Sequence, residues 1–269
     1  MMLDFYLLIP CYNNVEGLIR SLRSVVYPKD KCSVLIVDDG SETAITAALI
    51  PEEIHQVLHI EIIRLANNQG ITAALNTGLH YIDSKKNTRF IARLDCGDTC
   101  TIDRFIKQVH FLSVNTSVSL IGSMCLFVDR VTNEHFIYKP AASHRAIKKQ
   151  MHFKCSFIHP TVMFRADEIL DTIGFYPSNF PYAEDYAFFF SIVNQYETSN
   201  LQEVLVETEI NTKGISITKR NIQIHSKKRI IKEYGSHPIY RVLGIMQQNI
   251  LSLLTHQFIL AVKKRLYNN

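Results

Sequence analysis

The amino-acid sequence predicts an α/β fold: a mostly parallel sheet flanked by helices, with a helical C-terminal extension. Three observations predict it. Short apolar runs alternate four times with segments of helical periodicity, the cadence of βαβ units with right-handed crossovers. The runs are continuously apolar, as in strands buried on both faces. Each run stops at a polar, turn-forming cluster.

Leu3–Ile9 is the first strand, ended by Pro10. Val15–Val26 then sets Leu18, Ile19, Leu22, Val25 and Val26 on one helical stripe. Tyr27-Pro28-Lys29-Asp30 leads out to the second strand, Ser33–Val37, which runs into Asp38-Asp39-Gly40-Ser41. Ala44–Ile50 is a short helical piece closed by Pro51. Ile60–Leu65 is the third strand, ending in Asn67-Asn68-Gln69-Gly70. Ile71–Ile82 is helical, with Ile71, Ala74, Leu75, Gly78, Leu79 and Ile82 facing inward. Phe90–Leu94 is the fourth strand and ends in Asp95-Cys96-Gly97-Asp98. Further on, Tyr186–Val193 reads as a helix anchored by Phe188, Phe189, Ile192 and Val193. Leu201–Val206 is another apolar run, and Glu207–Ile217 reads as an extended segment folding back over the site. Residues 222–234 and 239–265 read as helices.

Composition narrows the function classes. The chain has 269 residues, 47% hydrophobic and 20% charged, which suits a folded protein of one large or two modest domains. A net charge of +4 does not demand a nucleic-acid partner, and none is expected. Cysteines stand at 11, 32, 96, 100, 125 and 155 with no Cys-x-x-Cys spacing, so neither a zinc ribbon nor that redox motif is indicated. Free thiols in a reducing cytoplasm are the simplest account. The first apolar run has no basic leader and is stopped by Pro10, so it reads as a strand and not a signal peptide. The turn Pro10-Cys11-Tyr12-Asn13-Asn14 is not a dinucleotide fingerprint, and no P-loop occurs.

In parallel sheets, ligands bind beyond the carboxyl ends of the strands. All four such ends here are polar, and two carry acidic pairs. Asp95 and Asp98 close an apolar strand, where carboxylates are costly unless solvated or paired with a cation. A solvated turn would explain one such end. Four in register point to a site.

The ordered blocks resemble a family 2 glycosyltransferase with the GT-A (Rossmann-like) fold, of the nonprocessive bacterial polysaccharide type. The resemblance opens with Ile9-Pro10-Cys11-Tyr12-Asn13, the helix ending Ser21-Leu22-Arg23-Ser24-Val25, and Leu35-Ile36-Val37-Asp38-Asp39-Gly40-Ser41. It continues through Asn68-Gln69-Gly70 to Asn76-Thr77-Gly78, and through Ile91-Ala92-Arg93-Leu94-Asp95-Cys96-Gly97-Asp98. His159-Pro160-Thr161 to Arg165, Gly174-Phe175-Tyr176 and Ala183-Glu184-Asp185-Tyr186 complete it, so it spans roughly residues 3–217.

The resemblance implies transfer of one sugar from a nucleotide-sugar to an acceptor hydroxyl. It places the nucleotide-sugar on Pro10, Tyr12, Asn13, Asp39, Asn68, Gly70, Asn76, Arg93, Asp95 and His159. Asp39 would accept from the pyrimidine N–H, and Tyr12 would pack on the ring or serve as an ordinary packing tyrosine. Asp38 reads as a cap of the following turn. Arg93 would meet the donor or pair with a nearby Asp, and His159 would meet diphosphate or acceptor. A Mn2+ or Mg2+ ion on Asp98 and Asp95 would neutralise the leaving diphosphate. The family motif is usually Asp-x-Asp, and Gly97 stands where the central acid would be. Asp185 is expected as general base, with Glu184 as its orienter or as an acceptor ligand. The bland use of that acidic pair is to complement a helix dipole.

The expected domains are 1–218 for nucleotide-sugar binding and catalysis, and 219–269 for the helical extension. Val242, Leu243, Met246, Ile250, Leu253, Leu254 and Phe258 give that extension a broad apolar face, closed by Lys263-Lys264-Arg265. Packing on the domain, a homodimer, or peripheral contact with the inner face of the cytoplasmic membrane would each use it. The chain lacks tryptophan and so lacks the Gln-x-x-Arg-Trp motif of processive members. The expected acceptor is a surface glycan or a lipid-linked oligosaccharide, and a UDP-sugar is the expected donor. The competing readings are a noncatalytic nucleotide-sugar-binding protein and a nucleotidyltransferase. The latter would want a basic phosphate loop after the first strand, where Pro10–Asn14 has neither lysine nor arginine.

Overall fold

A computed structural model describes residues 2–130, 132, 134–210 and 218–254. The first strands are β1 (Leu3–Cys11), β2 (Cys32–Asp38), β3 (Ile60–Arg64) and β4 (Thr88–Arg93). They lie in the order β3-β2-β1-β4, all parallel. Their crossovers include α1 (Val15–Arg23), α2 (Glu52–Val57) and α3 (Ile71–Lys85). Strand alternation divides the core. Phe5, Leu7 and Ile9 of β1 face one hydrophobic cluster with Leu18 and Leu22 of α1. Tyr6 and Leu8 face the other, with Ala74, Leu75 and Leu79 of α3. Burying both faces is what makes these strands read as continuous apolar runs.

Beyond β4 the sheet becomes mixed. It adds β5 (Thr99–Cys100), β6 (Val118–Asp129), β7 (Glu134–Tyr138), β8 (Met163–Arg165) and β9 (Glu197–Glu209). Strand β8 is antiparallel to both β4 and β6, while β9 runs parallel to β6. The helices of this half are α4 (Arg104–Val114), α5 (His144–Gln150), α6 (Ala166–Thr172) and α7 (Glu184–Gln195). Helix α7 buries Phe188, Phe189, Phe190, Ile192 and Val193, and so forms the rigid wall of the second cluster.

Several boundaries differ from expectation: Pro10 does not end β1, which runs on to Cys11, and α1 stops at Arg23 rather than Val26. The stretch 44–50 holds only a 3-10 turn, Ala47–Leu49. Pro51 does not close a helix but stands at the N-cap of α2, a place where its missing N–H costs nothing. The expected strand 201–206 is the middle of the longer β9, whose polar ends hide its strand character in the sequence. Of the expected segment Glu207–Ile217, residues 211–217 lie outside the described residues.

After residue 219 come α8 (Arg220–Tyr234) and α9 (Pro238–Leu253). Ile230 and Ile231 of α8 join the α7 cluster, and Gln248 of α9 donates to Phe153 O at 2.9 Å. The remainder of the expected helix 239–265 lies outside the described residues.

Candidate active site

The acidic pair after β2 is held tightly. Asp38 is fully buried and accepts from Ser41 N at 2.9 Å, Ile45 N at 3.1 Å and Arg64 Nη1 at 3.1 Å. Burial works against its charge, but the donors from Ser41 and Ile45 and the Arg64 guanidinium win and hold its carboxyl below the usual range. Asp39 accepts from Gln69 N at 2.8 Å and Gly70 N at 2.9 Å, so it fastens the loop before α3. That loop crosses close over Gly40, where φ is +69° and a Cβ would stand 2.3 Å from the Asn67 carbonyl carbon. Asn13 belongs to the same clasp. Its N–H donates to Ser41 Oγ at 2.9 Å, and its Oδ1 accepts from Glu42 N at 2.8 Å.

Beside this clasp opens a cleft of about 470 Å3, lined by Pro10, Tyr12, Asn14, Ile71, Asp95, Cys96, His159, Tyr182, Glu184, Asp185 and Gln223. It lies where parallel strands β1 and β4 end, as the topology requires. A larger depression of about 710 Å3, lined by residues 47–52 and 55, gathers a single acid, Glu52, and a single histidine, His55.

Asp95 reaches the cleft on a buried support. Arg93 is wholly buried and donates through Nη2 to Asp95 Oδ1 at 2.8 Å, through Nη1 to the Leu8 and Leu94 carbonyls, and through Nε to His159 Nε2 at 3.4 Å. His159 Nε2 also lies 2.9 Å from the Tyr176 hydroxyl. Burial, then the Arg93 charge, pushes the His159 pKa far down, so the ring is neutral and accepts from both. Asn76 does not face the cleft. Its Nδ2 donates to Tyr176 O and its Oδ1 accepts from Tyr176 N, each at 2.9 Å, and this fixes the tyrosine that orients His159.

Asp98 is turned into the wall. It is 7% exposed, and its Oδ2 accepts from Thr208 Oγ1 of β9 at 2.9 Å. Burial, then the Asp95 charge, pushes its carboxyl up to about 8. Gly97 between them has φ +110°, and a Cβ there would point at the Arg20 guanidinium, 3.4 Å away. Arg93 takes Asp95 Oδ1, and Asp95 Oδ2 has no hydrogen bond among the described residues. No group of three or more His, Cys, Asp or Glu arranged for a metal exists among them. The donor set fits a divalent cation that takes one protein carboxylate and draws its other ligands from phosphates and water.

The second acidic pair opens α7. Asp185 Oδ1 accepts from Tyr186 N at 2.7 Å. Its carboxyl is raised, by burial first, against the opposing pull of that N–H and of Lys227 on α8. Glu184 is buried, and its Oε2 has no hydrogen-bond partner. Burial, then the Asp185 charge, pushes its carboxyl up to about 7. Helix-dipole stabilisation is worth about 0.3–1 kcal/mol, and burial outweighs it here.

Of the residues expected from sequence, Pro10, Tyr12, Asp95, His159, Glu184 and Asp185 line the cleft together. Asp39, Asn13 and Gly70 build the clasp beside it. Asn68 is exposed in the neighbouring loop. Sequence reasoning missed Asn14, Ile71, Cys96, Tyr182 and Gln223. Tyr182, with φ +62°, offered only its nearness to Glu184 as a signal. Gln223 offered none: it arrives from α8, where its Nε2 donates to Tyr182 O at 2.9 Å.

The sequence profile of Glycosyl transferase family 2 matches residues 6–174, well over half of the chain and covering the whole β1–β4 side of this cleft. The chain belongs to glycosyltransferase family 2. Curated relatives agree. The glycosyltransferase is 27% identical over 243 residues to the amylovoran biosynthesis glycosyltransferase AmsE of Erwinia amylovora, covering 86% of this chain and 88% of that one. It is 32% identical over 144 residues to the O-antigen biosynthesis glycosyltransferase WbnJ of Escherichia coli, covering 52% and 55%. Its fold resembles S. aureus TarS 1-349 solved with UDP-GlcNAc, with TM-score 0.66, 17% identity, and 90% and 70% of the two chains covered. It also resembles the mannosyltransferase PcManGT of Pyrobaculum calidifontis solved with GDP-Man and Mn2+, with TM-score 0.65, 17% identity, and 92% and 69% covered.

Proposed function

We propose that this glycosyltransferase moves one sugar, with inversion, from a nucleotide-sugar to a hydroxyl of a surface glycan or lipid-linked oligosaccharide. The observation that carries the reading is the shared cleft. Tyr12 and Asp95 at the ends of β1 and β4 face Glu184 and Asp185 at the start of α7. The nucleotide packs on Tyr12, in a pocket whose floor is set by the Asp39 clasp. Asp95, oriented by Arg93, takes the ribose or a divalent cation. Such a cation, when bound, neutralises charge on the diphosphate. Asp98, tied to Thr208, supports the loop from behind.

Asp185 is the base. Its Oδ1 is anchored by Tyr186 N, and Lys227 favours the charged form. The acceptor hydroxyl loses its proton to the carboxylate as its oxygen attacks the anomeric carbon opposite the diphosphate, which inverts that centre. Glu184 Oε2, buried without a partner, accepts a hydrogen bond from the acceptor. A UDP-sugar is the favoured donor, supported by the UDP-GlcNAc complex of the TarS fold relative. A surface-glycan acceptor is supported by the names of AmsE and WbnJ.

On this reading the extension rests on the inner membrane surface. Ile239, Val242, Met246, Ile250 and Leu253 of α9 are each more than half exposed along one face. Besides Lys227, which faces Asp185, residues 219–254 carry Lys219, Arg220, Lys228, Arg229, Lys232 and Arg241 against the single acid Glu233. An apolar stripe in a basic field suits an anionic bilayer surface. No helix among the described residues is long and apolar enough to cross a membrane.

The test is nucleotide release from UDP-, GDP- and dTDP-sugars, with manganese, with magnesium and with chelator. Release from one donor that stops with chelator supports the whole reading. Release that survives chelator removes the cation from Asp95. Absence of both release and binding across the panel ends the donor assignment. Sedimentation with anionic and neutral vesicles checks α9; binding to neither removes the membrane contact.

A further inference from the structure

We propose that Cys11 and Cys96 form a reversible disulfide that gates the donor end of the cleft. The inference rests on the donor-cleft reading above. The two thiols are 85 residues apart in sequence, yet their Sγ atoms lie 3.1 Å from each other. The sheet explains the meeting. Strands β1 and β4 are parallel with Leu8 opposite Arg93, and three residues further along each chain stand Cys11 and Cys96. The turn that follows β4 carries Cys96 over the end of β1, where Cys11 stands. Closing from 3.1 Å to the roughly 2.05 Å of an S–S bond draws the two loops toward each other.

Access is asymmetric. Cys96 lines the cleft, while Cys11 is buried behind it. A small two-electron oxidant of the peroxide class therefore meets Cys96 first. Cys96 gives up its proton as its sulfur attacks one peroxide oxygen: an S–O bond forms, the O–O bond breaks, and the departing hydroxide takes that proton and leaves as water. Cys11 then attacks the Cys96 sulfur: the S–S bond forms, the S–O bond breaks, and a second water leaves. Two thiols and one hydrogen peroxide give one disulfide and two waters.

The bridge would act on the donor through Asn14. Both sulfurs are within hydrogen-bond reach of the Asn14 carbonyl, Cys96 at 3.2 Å and Cys11 at 3.5 Å. Asn14 also donates from Nδ2 to Cys96 O at 3.4 Å and caps α1 by accepting from Gly17 N at 3.0 Å. Oxidation removes both S–H donors and staples the Pro10–Asn14 loop to the Asp95–Asp98 loop. Tyr12 and Asp95, the two groups assigned to the nucleotide, flank the staple. Their spacing is then set by the bridge, and nucleotide affinity falls.

The experiment uses the full-length protein, reduced and then treated with equimolar hydrogen peroxide. Peptide mapping with and without reductant locates the bridge, and calorimetry reads UDP and GDP affinity before and after. The expected result is a Cys11–Cys96 peptide, a loss of affinity of about tenfold or more, and recovery with dithiothreitol. Cys11→Ser and Cys96→Ala, each compared with its own reduced state, should keep their affinity under peroxide; either variant alone suffices if the other fails to fold. Oxidation of Cys96 without the bridge overturns the proposal. So does a mapped bridge with unchanged affinity, or an equal loss in the variants. Reduced protein that binds neither nucleotide overturns the donor reading and the gate with it, and the mapping, read without nucleotide, separates that failure from failure of the bridge.

Discussion

Asp38-Asp39 and Glu184-Asp185 are the same pattern in sequence, two adjacent acids at a strand end or helix start. Folding treats them oppositely. The first pair receives backbone N–H groups from Ser41, Ile45, Gln69 and Gly70 and a guanidinium from Arg64. The second receives one N–H from its own helix and leaves Glu184 Oε2 unpartnered. Asp38 is held below the ordinary carboxylate range, and both members of the second pair are pushed above it. A satisfied carboxylate organises the fold; a deprived one retains capacity for a ligand and a proton. The difference lies in the donors that reach each pair, not in the acids.

The contrast can be broken most sharply at Asp185. Asp185→Asn should lower turnover of the donor with acceptor by about a thousandfold while leaving nucleotide affinity intact, as read by calorimetry. Wild-type turnover in that variant would move the base elsewhere. Next comes Asp38→Ala. It strips the acceptor from Ser41, Ile45 and Arg64 and should destabilise the fold by about 3 kcal/mol, seen as a lower urea midpoint. If the midpoint held and turnover vanished instead, the two pairs would have exchanged roles.

Glu184 sharpens the comparison through pH. Its carboxyl is pushed up to about 7, so it gains a proton as pH falls through that value. Turnover that needs the carboxylate should decline below about pH 7 and level off above it. Glu184→Gln should lose about tenfold in turnover and flatten that limb; an unchanged limb would assign it to another group. The smallest effect is at Asp98, pushed up to about 8. Folding raises its pKa above the unfolded value, so its contribution is complete at low pH and lost as pH rises from about 4 to about 8. Asp98→Asn should remove this slope and be the more stable protein at pH 8.5 by about 1 kcal/mol, with the gap closing toward pH 5. Parallel thermal melting curves at both pH values would refute the burial argument.

The four parallel strands, the α3 inward face and the strand-end position of the cleft were legible in the sequence. Continuous burial and the 3.6-residue period write themselves into residue order. Ala74, Leu75, Gly78, Leu79 and Ile82 are buried as that period requires, whereas Ile71, on the same stripe, opens onto the cleft. The direction a loop side chain takes is not written locally. Asp95 and Asp98 are three residues apart and read alike, yet Arg93 turns one to the cleft and Thr208 holds the other in the wall. Asn76, read as a donor contact, spends its amide on the Tyr176 backbone a hundred residues away.

By itself the sequence determined the α/β class, the membership in glycosyltransferase family 2, and the line of polar strand ends beside which the cleft opens. Periodicity and ordered motifs are local properties, and they survive in one dimension. Only the tertiary structure decided which acids are satisfied and which are left deprived, that Gln223 of α8 enters the cleft, and that Cys11 meets Cys96. Each of those depends on a partner distant in the chain, supplied by strand register and helix packing.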